Sequence, residues 1–244
     1  VEQLDSLNKQ IFNMTSQGQA PNDLLDQQDK ILSELTGIAG VEASYDKFNR
    51  VSVTVGGESV LTEDSISKMS VGTDPAGQLI VNDKNIDITS GNIKGSQEAL
   101  TEIDNKKQEL NEVAFTFATA MNEVHSDGGK GIPFFTLGEG GDYAASIQVN
   151  KEILADVSKI NAGKNIETVV GGDGTRAQAI AALQNTKFGD PVDIKGDYNP
   201  DTMTIKNKEG GSTVSGSYND SVTQMGIVKQ QSDNMVDSQE SLVS

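Results

Sequence analysis

Residues 97–128 constrain the fold of this chain most, because apolar residues recur there at helical spacing. The stripe consists of Leu100, Ile103, Leu110, Val113, Phe117, Met121 and Val124. This spacing predicts an amphipathic helix with one apolar face. A helix of about 30 residues is roughly 45 Å long, since each residue adds about 1.5 Å. We expect Ser96 to be its N-cap and other helices to cover its apolar face.

Helical spacing returns near both ends of the chain. Residues 1–17 have a seam spaced as in a coiled coil, formed by Leu4, Leu7, Ile11 and Met14. A second helix is predicted from an N-cap at Asn22 to about Gly37, and another over residues 218–244. The chain begins without Met, and neither terminal helix has a recognisable outer cap. We therefore expect an internal fragment of a longer protein.

Between residues 41 and 89 the apolar residues no longer recur at helical spacing but at every second position. Val51, Val53 and Val55 alternate with polar residues, and Gly56-Gly57 then predicts a hairpin turn into residues 58–61. Two shorter strands are predicted over residues 78–81 and 85–88, with a turn at residues 74–77. This region is therefore predicted to form a small antiparallel sheet.

These patterns predict an α+β fold, an elongated helical bundle of coiled-coil-like long helices that carries β segments. Residues 1–36, 97–126 and 216–244 form the predicted discontinuous bundle. Residues 37–96 form an inserted antiparallel β domain. Residues 127–215 form a mixed segment of loops, short helices and strands, with a helix over 175–183 and a hairpin within 190–206.

Charge and composition argue against several functional classes. The net charge is −17, and without a Lys/Arg cluster we expect neither nucleic acid nor an anionic membrane surface as a partner. The absence of cysteine rules out disulfides and thiolate chemistry in this chain. Residues 1–4 do not resemble a secretory signal, and the sequence contains no apolar run long enough to span a bilayer.

His125, the only histidine, is the strongest candidate for catalysis. No nucleophile elbow surrounds it, so a Ser-His-Asp triad is not indicated. It lies at the predicted end of the long helix, where a partly charged ring would interact favourably with the helix dipole. We therefore interpret His125 as a structural or capping residue.

Three other patterns are weaker. Asp197–Asp201 begins like a calcium-binding loop, but Thr202 and Lys208 stand where that loop needs Gly and Glu. Residues 138–143 have only the first two glycines of a dinucleotide fingerprint. Asp26 and Asp29 fit a solvated helix face. We predict no catalytic residue, cofactor or metal site, and favour a structural or interaction protein over an enzyme.

The amino-acid sequences of several segments resemble those of the flagellar hook-associated protein 1 family. These segments are residues 4–11, 21–29, 109–114 with 117–118, 122–128, 133–135, 172–174 with 177–183, and 218–222 with 225–226. Their order over most of the chain makes the resemblance specific. It implies a structural component that joins the hook to the filament of the bacterial flagellum, without catalysis.

The same resemblance implies partners and a route of export. The partners would be the hook protein, the filament-side hook-associated protein, further copies in a ring, and an export chaperone that binds a terminal region outside this chain. The protein would be extracellular, exported by the flagellar type III system without a cleaved signal peptide. This fragment would be monomeric. The alternatives are another flagellar axial protein, either the filament-side junction protein or a flagellin-like subunit, or an acidic extracellular hydrolase or binding module.

Overall fold

The computed structural model describes residues 1–67, 71–74, 79–81, 83–168 and 170–243. It has an α+β fold with long helices and small antiparallel sheets, as predicted. The helices are α1 (Glu2–Thr15), α2 (Asn22–Ala39), α3 (Gly91–His125), α4 (Tyr143–Ser146), α5 (Lys151–Ala155), α6 (Thr175–Ala182), α7 (Ile194–Asp197) and α8 (Val214–Val243). The chain divides into two units, Val1–Asp104 and Asn105–Ser244. The predicted grouping of residues 1–36, 97–126 and 216–244 stays a prediction.

The strands of the first unit form two three-stranded antiparallel sheets. The first has the order β1-β2-β3, with β1 (Glu42–Tyr45), β2 (Val51–Val55) and β3 (Glu58–Leu61). The second has the order β4-β5-β6, with β4 (Val71–Thr73), β5 (Leu79–Val81) and β6 (Lys84–Asn85). The predicted hairpin at Gly56-Gly57 is confirmed, because it joins β2 to β3.

The seam of α1 is buried against α2 and the β1-β2-β3 sheet. Leu4, Leu7 and Ile11 share one apolar core with Leu32 of α2 and with residues of β2 and β3. Asn8 lies in this core and is fully buried. Its side-chain amide donates to the carbonyl oxygen of Val51 at 2.8 Å, and its Oδ1 accepts from the Val51 amide at 2.9 Å. Asn8 therefore fixes α1 to the start of β2.

A smaller core in the first unit connects the second sheet with the ends of two helices. Val81, Ile86 and Ile88 are buried there, and Ala39 of α2 and Ile93 of α3 pack against them. Gly40 follows α2 in a left-handed conformation with φ of 60°. A Cβ at Gly40 would lie 2.0 Å from the Ser90 hydroxyl oxygen. Only glycine therefore fits both the backbone and the space at the end of α2.

The second unit has its own core around the C-terminal part of α3. Ala120 and Val124 of α3 are buried with Phe188, Ile194, Met203 and Ile205, and α6 packs against them. Two short antiparallel pairs complete it: β7 (Phe135–Thr136) with β8 (Gln148–Val149), and β9 (Tyr198–Asn199) with β10 (Thr204–Ile205). The helix predicted over 175–183 and the hairpin predicted within 190–206 are both confirmed.

Several predicted details need correction. The long helix begins at Gly91, so Ser96 is not its N-cap; the Ser96 hydroxyl donates to the Asn92 carbonyl oxygen inside α3. Asn22 is the first residue of α2 and makes no capping bond, because Pro21 precedes the helix. The strand predicted over 85–88 ends at Asn85. Residues 75–78 of the predicted turn and strand lie outside the described residues.

Candidate functional site

His125 is the last residue of α3 and its ring is fully buried. Nδ1 lies 3.0 Å from the carbonyl oxygen of Ile132, and Nε2 lies 3.0 Å from the amide nitrogen of Asn161. Because a backbone amide can only donate, Nε2 is the acceptor and the proton is on Nδ1. Burial lowers the pKa of His125, and nearby Arg176 lowers it further, although the bond to Ile132 acts in the opposite direction.

This geometry corrects one part of the sequence interpretation. His125 does lie at the end of the helix, but its ring is held neutral, so it does not act through a charge on the helix dipole. Both ring nitrogens are bound to backbone groups of the segments that follow α3. The Asn161 side chain also donates to the His125 carbonyl oxygen at 3.0 Å. His125 therefore connects the end of α3 to residues 132 and 161.

Arg176, near the start of α6, is buried beside this ring and has no exposed surface. Its guanidinium donates to three backbone carbonyl oxygens: Gly163 at 3.1 Å, Lys164 at 2.7 Å, and Val124 of α3. The planar guanidinium has five donors in a fixed arrangement, which suits it to bridging separate backbone segments. Arg176 thus connects α3, α6 and the loop at residues 163–164.

Asp127 provides the negative charge next to Arg176. Its Oδ1 lies 3.4 Å from an Nη of Arg176 and accepts from the Tyr198 hydroxyl at 3.2 Å, and its Oδ2 binds the Lys130 ammonium at 2.8 Å. Burial alone would raise the pKa of Asp127, but the bonds from Lys130 and Tyr198 and the charge of Arg176 lower it. Asp127 is therefore ionised at neutral pH and balances the buried guanidinium.

Asp173 fastens the loop that leads into α6. Its carboxylate accepts from the Thr175 hydroxyl, from the Lys164 amide at 2.8 Å and from the Thr175 amide at 3.0 Å. These bonds lower the pKa of Asp173 to about 2, with the Thr175 hydroxyl as the largest cause. This loop includes residues 171–174. Residues 172–174, one of the segments that carry the family resemblance, therefore have a definite structural role.

We call His125, Asp127, Asn161, Arg176 and Tyr198 the α3-end cluster. It brings together residues 122–128 and the segment after residues 172–174, two of the landmarks that carry the family resemblance. Sequence analysis identified His125 but missed Arg176, Asp127, Asn161 and Tyr198. A usable signal for Arg176 was present, because this chain has only two arginines and this one stands in an alanine-rich helix.

The other candidate residues lie in separate places. The Asp197 carboxylate binds the Lys208 ammonium at 2.6 Å, which closes the β9–β10 hairpin. Gly138 donates its amide to the Ser146 hydroxyl at 3.0 Å, and Asp142 precedes the single turn of α4. Asp26 and Asp29 are exposed on α2. Within the described ranges, no three His, Cys, Asp or Glu side chains are grouped so that they could hold a metal ion.

Large apolar side chains remain exposed on the two longest helices. Four positions of the α3 stripe are more than a third exposed: Leu100, Ile103, Leu110 and Phe117. Helix α8 exposes Tyr218, Val222, Met225, Ile227, Val228, Met235 and Val236. That other helices pack over the apolar face of α3 stays a prediction. Exposed apolar rows of this length on a helix are typical of surfaces that contact other chains.

The fold and the α3-end cluster define the class: an α+β module in which buried polar side chains bind backbone atoms and hold segments together. Residues 1–135 match the family model described as "Flagellar hook-associated protein FlgK helical domain". The chain therefore belongs to the flagellar hook-associated protein family, and the predicted resemblance is confirmed.

Relatives in distant bacteria agree with this assignment. The chain is 28% identical over 230 residues to "Flagellar hook-associated protein 1" of Salmonella typhimurium, which covers 84% of this chain and 41% of the relative. It is 26% identical over 232 residues to the protein of that name from Bacillus subtilis, covering 77% and 46%. The chain thus spans less than half the length of these relatives. None of the described helices is long and apolar enough to cross a membrane.

Proposed function

We propose that this chain is part of a structural protein of the bacterial flagellum that forms the junction between hook and filament by self-assembly. The observation that carries the proposal is the family match, which spans α1 to the start of β7. The names of the relatives connect that family with the flagellar hook. The exposed apolar rows on α3 and α8 support an assembly role, because a protein that polymerises needs apolar surface for its neighbours.

The proposal includes no catalysis. Two fully buried polar side chains of the second unit, His125 and Arg176, bind backbone atoms with both ring nitrogens and all three guanidinium nitrogens. This arrangement uses their hydrogen-bonding capacity for packing. It supports a mechanical role, in which a rigid module transmits load between neighbouring subunits.

The proposed partners follow from the same role. They are the hook protein on one side, the filament-side hook-associated protein on the other, and further copies of the protein itself in a ring. An export chaperone would bind a region outside this chain. The protein would leave the cell through the flagellar type III system, without a cleaved signal peptide, and lie outside the cell in the flagellum.

Deletion of the gene tests the role. We expect cells with hooks but no filaments that release unpolymerised flagellin into the medium, and complementation with the intact gene should restore filaments. A deletion strain with normal filaments would refute the proposal. Loss of flagellin from both cells and medium would instead favour the flagellin-like alternative.

Immunogold labelling separates the two junction proteins. Antibodies against this chain should label hook tips from cells that lack the filament-side hook-associated protein. Failure to label those tips, with label appearing when that protein is present, would favour the filament-side alternative. For the acidic binding module, the specific observation is the net charge of −17; a calcium titration that gives neither heat nor a change in melting temperature would exclude a calcium-binding version.

A further inference from the structure

The segments that follow α3 are fastened to it by side chains of different chemistry. Residues 134–150 are held by Asn122, whose side-chain amide donates to the Phe135 carbonyl oxygen at 2.9 Å and whose Oδ1 accepts from the Phe135 amide at 2.7 Å. The Oδ1 of Asn111 also accepts from the Ala144 amide at 2.9 Å. Asparagine side chains do not titrate, so mild acid does not alter these attachments.

Residues 157–168, which we call the flap, are fastened to α3 by His125 instead. The backbone amide of Asn161 donates to Nε2 of His125, and its side-chain amide donates to the His125 carbonyl oxygen, both at 3.0 Å. The carbonyl oxygens of residues 162–164 accept hydrogen bonds from the backbone amide and the guanidinium of Arg176. The flap is therefore attached directly to α3 through His125 and to α6 through Arg176.

The flap contributes little to the core of the second unit. None of residues 157–168 is buried, and Val157 and Ile160 are 73% and 43% exposed. A segment with few buried apolar contacts opens locally at a lower free energy than the core beside it. The position of the flap on the end of α3 therefore depends on hydrogen bonds, and mainly on those to His125 and Arg176.

Protonation of His125 would break one of its two ring bonds and keep the other. Nδ1 donates to the Ile132 carbonyl oxygen whether the ring is neutral or protonated. Nε2 accepts from the Asn161 amide only while the ring is neutral, because an imidazolium would place two N–H groups against each other. Acid therefore removes the contact of the ring with the flap and spares its contact with residue 132.

The surroundings of the ring also oppose its protonation while the flap is closed. Burial lowers the pKa of His125, and Arg176 of α6 lowers it further. In the turn after α3, Asp127 is already bound by Arg176, Lys130 and Tyr198. A second positive charge beside Arg176 is therefore costly in the closed form, and opening of the flap gives the ring access to water.

The other charged groups near the ring do not share this position. Asp173, before α6, accepts from the Lys164 amide of the flap at 2.8 Å, and its pKa of about 2 keeps it ionised in mild acid. The remaining charged side chains on the elements around the ring are Glu123 of α3 and Lys159, Lys164 and Glu167 of the flap. His125 is the only histidine, and its ordinary pKa of 6.5 lies nearest to the range of mild acid.

We infer that the flap is a pH-controlled element: it lies on the end of α3 at neutral pH and is released in mild acid when His125 takes up a proton, while residues 134–150 stay attached. The inference is independent of the proposed function, because it needs only contacts within the second unit. Since Val157 and Ile160 lie on the flap, its release also displaces exposed apolar surface of this unit.

The size of the effect follows from the linkage between protonation and opening. The closed flap lowers the pKa of His125 below its ordinary value of 6.5, so the open form takes up the proton first as the pH falls. Between pH 7.5 and 5.5 the ratio of open to closed flap should therefore rise by up to about tenfold. The attachment of residues 134–150 through asparagine has no such dependence.

Hydrogen exchange of the full-length protein, followed by mass spectrometry at pH 7.5 and 5.5, tests the inference. Labelling times are scaled to the intrinsic exchange rate at each pH. After this scaling, peptides from residues 157–168 should exchange about threefold to tenfold faster at pH 5.5, and peptides from residues 134–150 should exchange equally at both pH values. An unchanged flap overturns the inference, and so does an equal rise in both segments, because the release would then not be specific to the flap.

Two further measurements show whether His125 is the cause. His125→Gln keeps a side-chain oxygen that can accept from the Asn161 amide but does not titrate, so the scaled exchange of the flap should be the same at both pH values. A rise at pH 5.5 in this variant would overturn the inference. The proton NMR signal of the only histidine gives a readout on the unmodified protein. The ring should titrate below pH 6.5, and titration at or above 6.5 would overturn the inference, because protonation would then not favour the open flap.

Discussion

The backbone amide of Asn161 donates a hydrogen bond of 3.0 Å to Nε2 of His125. A protonated imidazole could not accept that bond, so the contact requires the neutral ring. Its other nitrogen is bound to the Ile132 carbonyl oxygen, and the ring is buried beside Arg176. The joint between α3 and the following segments is therefore sensitive to acid.

The first prediction concerns this sensitivity. The folded-state pKa of His125 lies below its ordinary value of 6.5, so the unfolded chain takes up the proton first as the pH falls. The contribution of His125 to stability is complete above pH 6.5 and is lost as the pH falls from there through the folded-state pKa. Urea unfolding at pH 7.5 and 5.0 should show a smaller loss of stability for His125→Gln than for the wild type.

Two features make that measurement specific. The carboxylates whose pKa is lowered are Asp46, Glu109, Asp127, Asp156 and Asp173, and each loses its contribution to stability only as the pH falls below its ordinary pKa, outside the window chosen. Nitrogen-15 NMR of the histidine ring gives an independent readout, which should show the Nδ1–H form at pH 7.5. Equal losses in both proteins, together with an Nε2–H ring, would contradict the assignment.

The second prediction concerns Arg176. Replacing it by Met leaves Asp127 without its buried cation and leaves carbonyl oxygens of residues 124, 163 and 164 without a donor. We expect a loss of about 3–5 kcal/mol in the free energy of unfolding. Arg176→Lys should recover only part of this, because one ammonium cannot reproduce the planar set of donors. Hydrogen exchange should accelerate across residues 161–176.

Arg50, the other arginine, is the matched control. It pairs with Asp46 at 2.8 Å and with the exposed Asp64 at 2.6 Å in the first unit. Arg50→Met should cost about 1–2 kcal/mol, less than Arg176→Met, because it removes a partly buried ion pair with Asp46 and a contact with the Phe12 ring but leaves no fully buried charge unpaired. It should leave hydrogen exchange in residues 161–176 unchanged. A similar loss of stability for both variants would show that the bonds of Arg176 to three backbone segments contribute no more than the ion pairs of Arg50.

Local sequence patterns predicted the helices and strands of this fold better than the contacts that those elements make with each other. The alternation of Val51, Val53 and Val55 before Gly56-Gly57 was enough for the β2–β3 hairpin, because turn and strands lie next to each other in sequence. Helix α2 and the β9–β10 hairpin were found in the same way. The predicted start of α3, at Gln97 after a cap at Ser96, was wrong by six residues, since Ser96 resembles a cap but lies inside a helix that Gly91 begins.

The α3-end cluster could not be predicted from local patterns. Arg176 and Val124 are 52 residues apart, and Tyr198 and Asp127 are 71 residues apart. An arginine in a short helix is typical of a solvated surface, and only the folded chain shows that it is buried. His125 was found because it is unique, but its neutral form depends on Asn161, which no spacing rule connects with it.

The third prediction tests how α1 is fixed to the first sheet. Asn8 is fully buried and uses both a donor and an acceptor on Val51, and Gln28 donates to its Oδ1 at 3.3 Å. Asn8→Asp removes the donor and places a buried carboxylate near the Val51 carbonyl oxygen. We expect a loss of at least about 2 kcal/mol at pH 7.

The pH dependence of that variant gives the sharper readout. Burial raises the folded-state pKa of the new carboxyl group, so the folded state takes up the proton first and the deficit shrinks as the pH falls towards 5. Asn13→Asp, at an exposed position of the same helix, should cost less than about 0.5 kcal/mol. A pH-independent deficit for Asn8→Asp would mean that the Asn8–Val51 pair is not what orients α1.

The fourth prediction separates two neighbouring glycines in the β2–β3 turn. Gly56 and Gly57 both have positive φ, 53° and 80°, so alanine at either position costs about 1–2 kcal/mol through backbone strain. They differ in space: a Cβ at Gly56 would lie 1.9 Å from Cγ2 of the buried Ile86, whereas nothing lies within 4 Å of one at Gly57. Overpacking should add roughly 1–3 kcal/mol at Gly56 alone.

A double-mutant cycle identifies the cause of this difference. Ile86→Ala removes the methyl group that a Cβ at Gly56 would meet, so Gly56→Ala in that background should cost no more than Gly57→Ala does. Thermal unfolding of the four proteins, followed by circular dichroism, gives the coupling between the two positions. If Gly56→Ala costs the same with and without Ile86→Ala, the turn does not pack against Ile86. A coupling of about 1 kcal/mol or more would show that this contact joins the first sheet to the small core of Val81, Ile86 and Ile88.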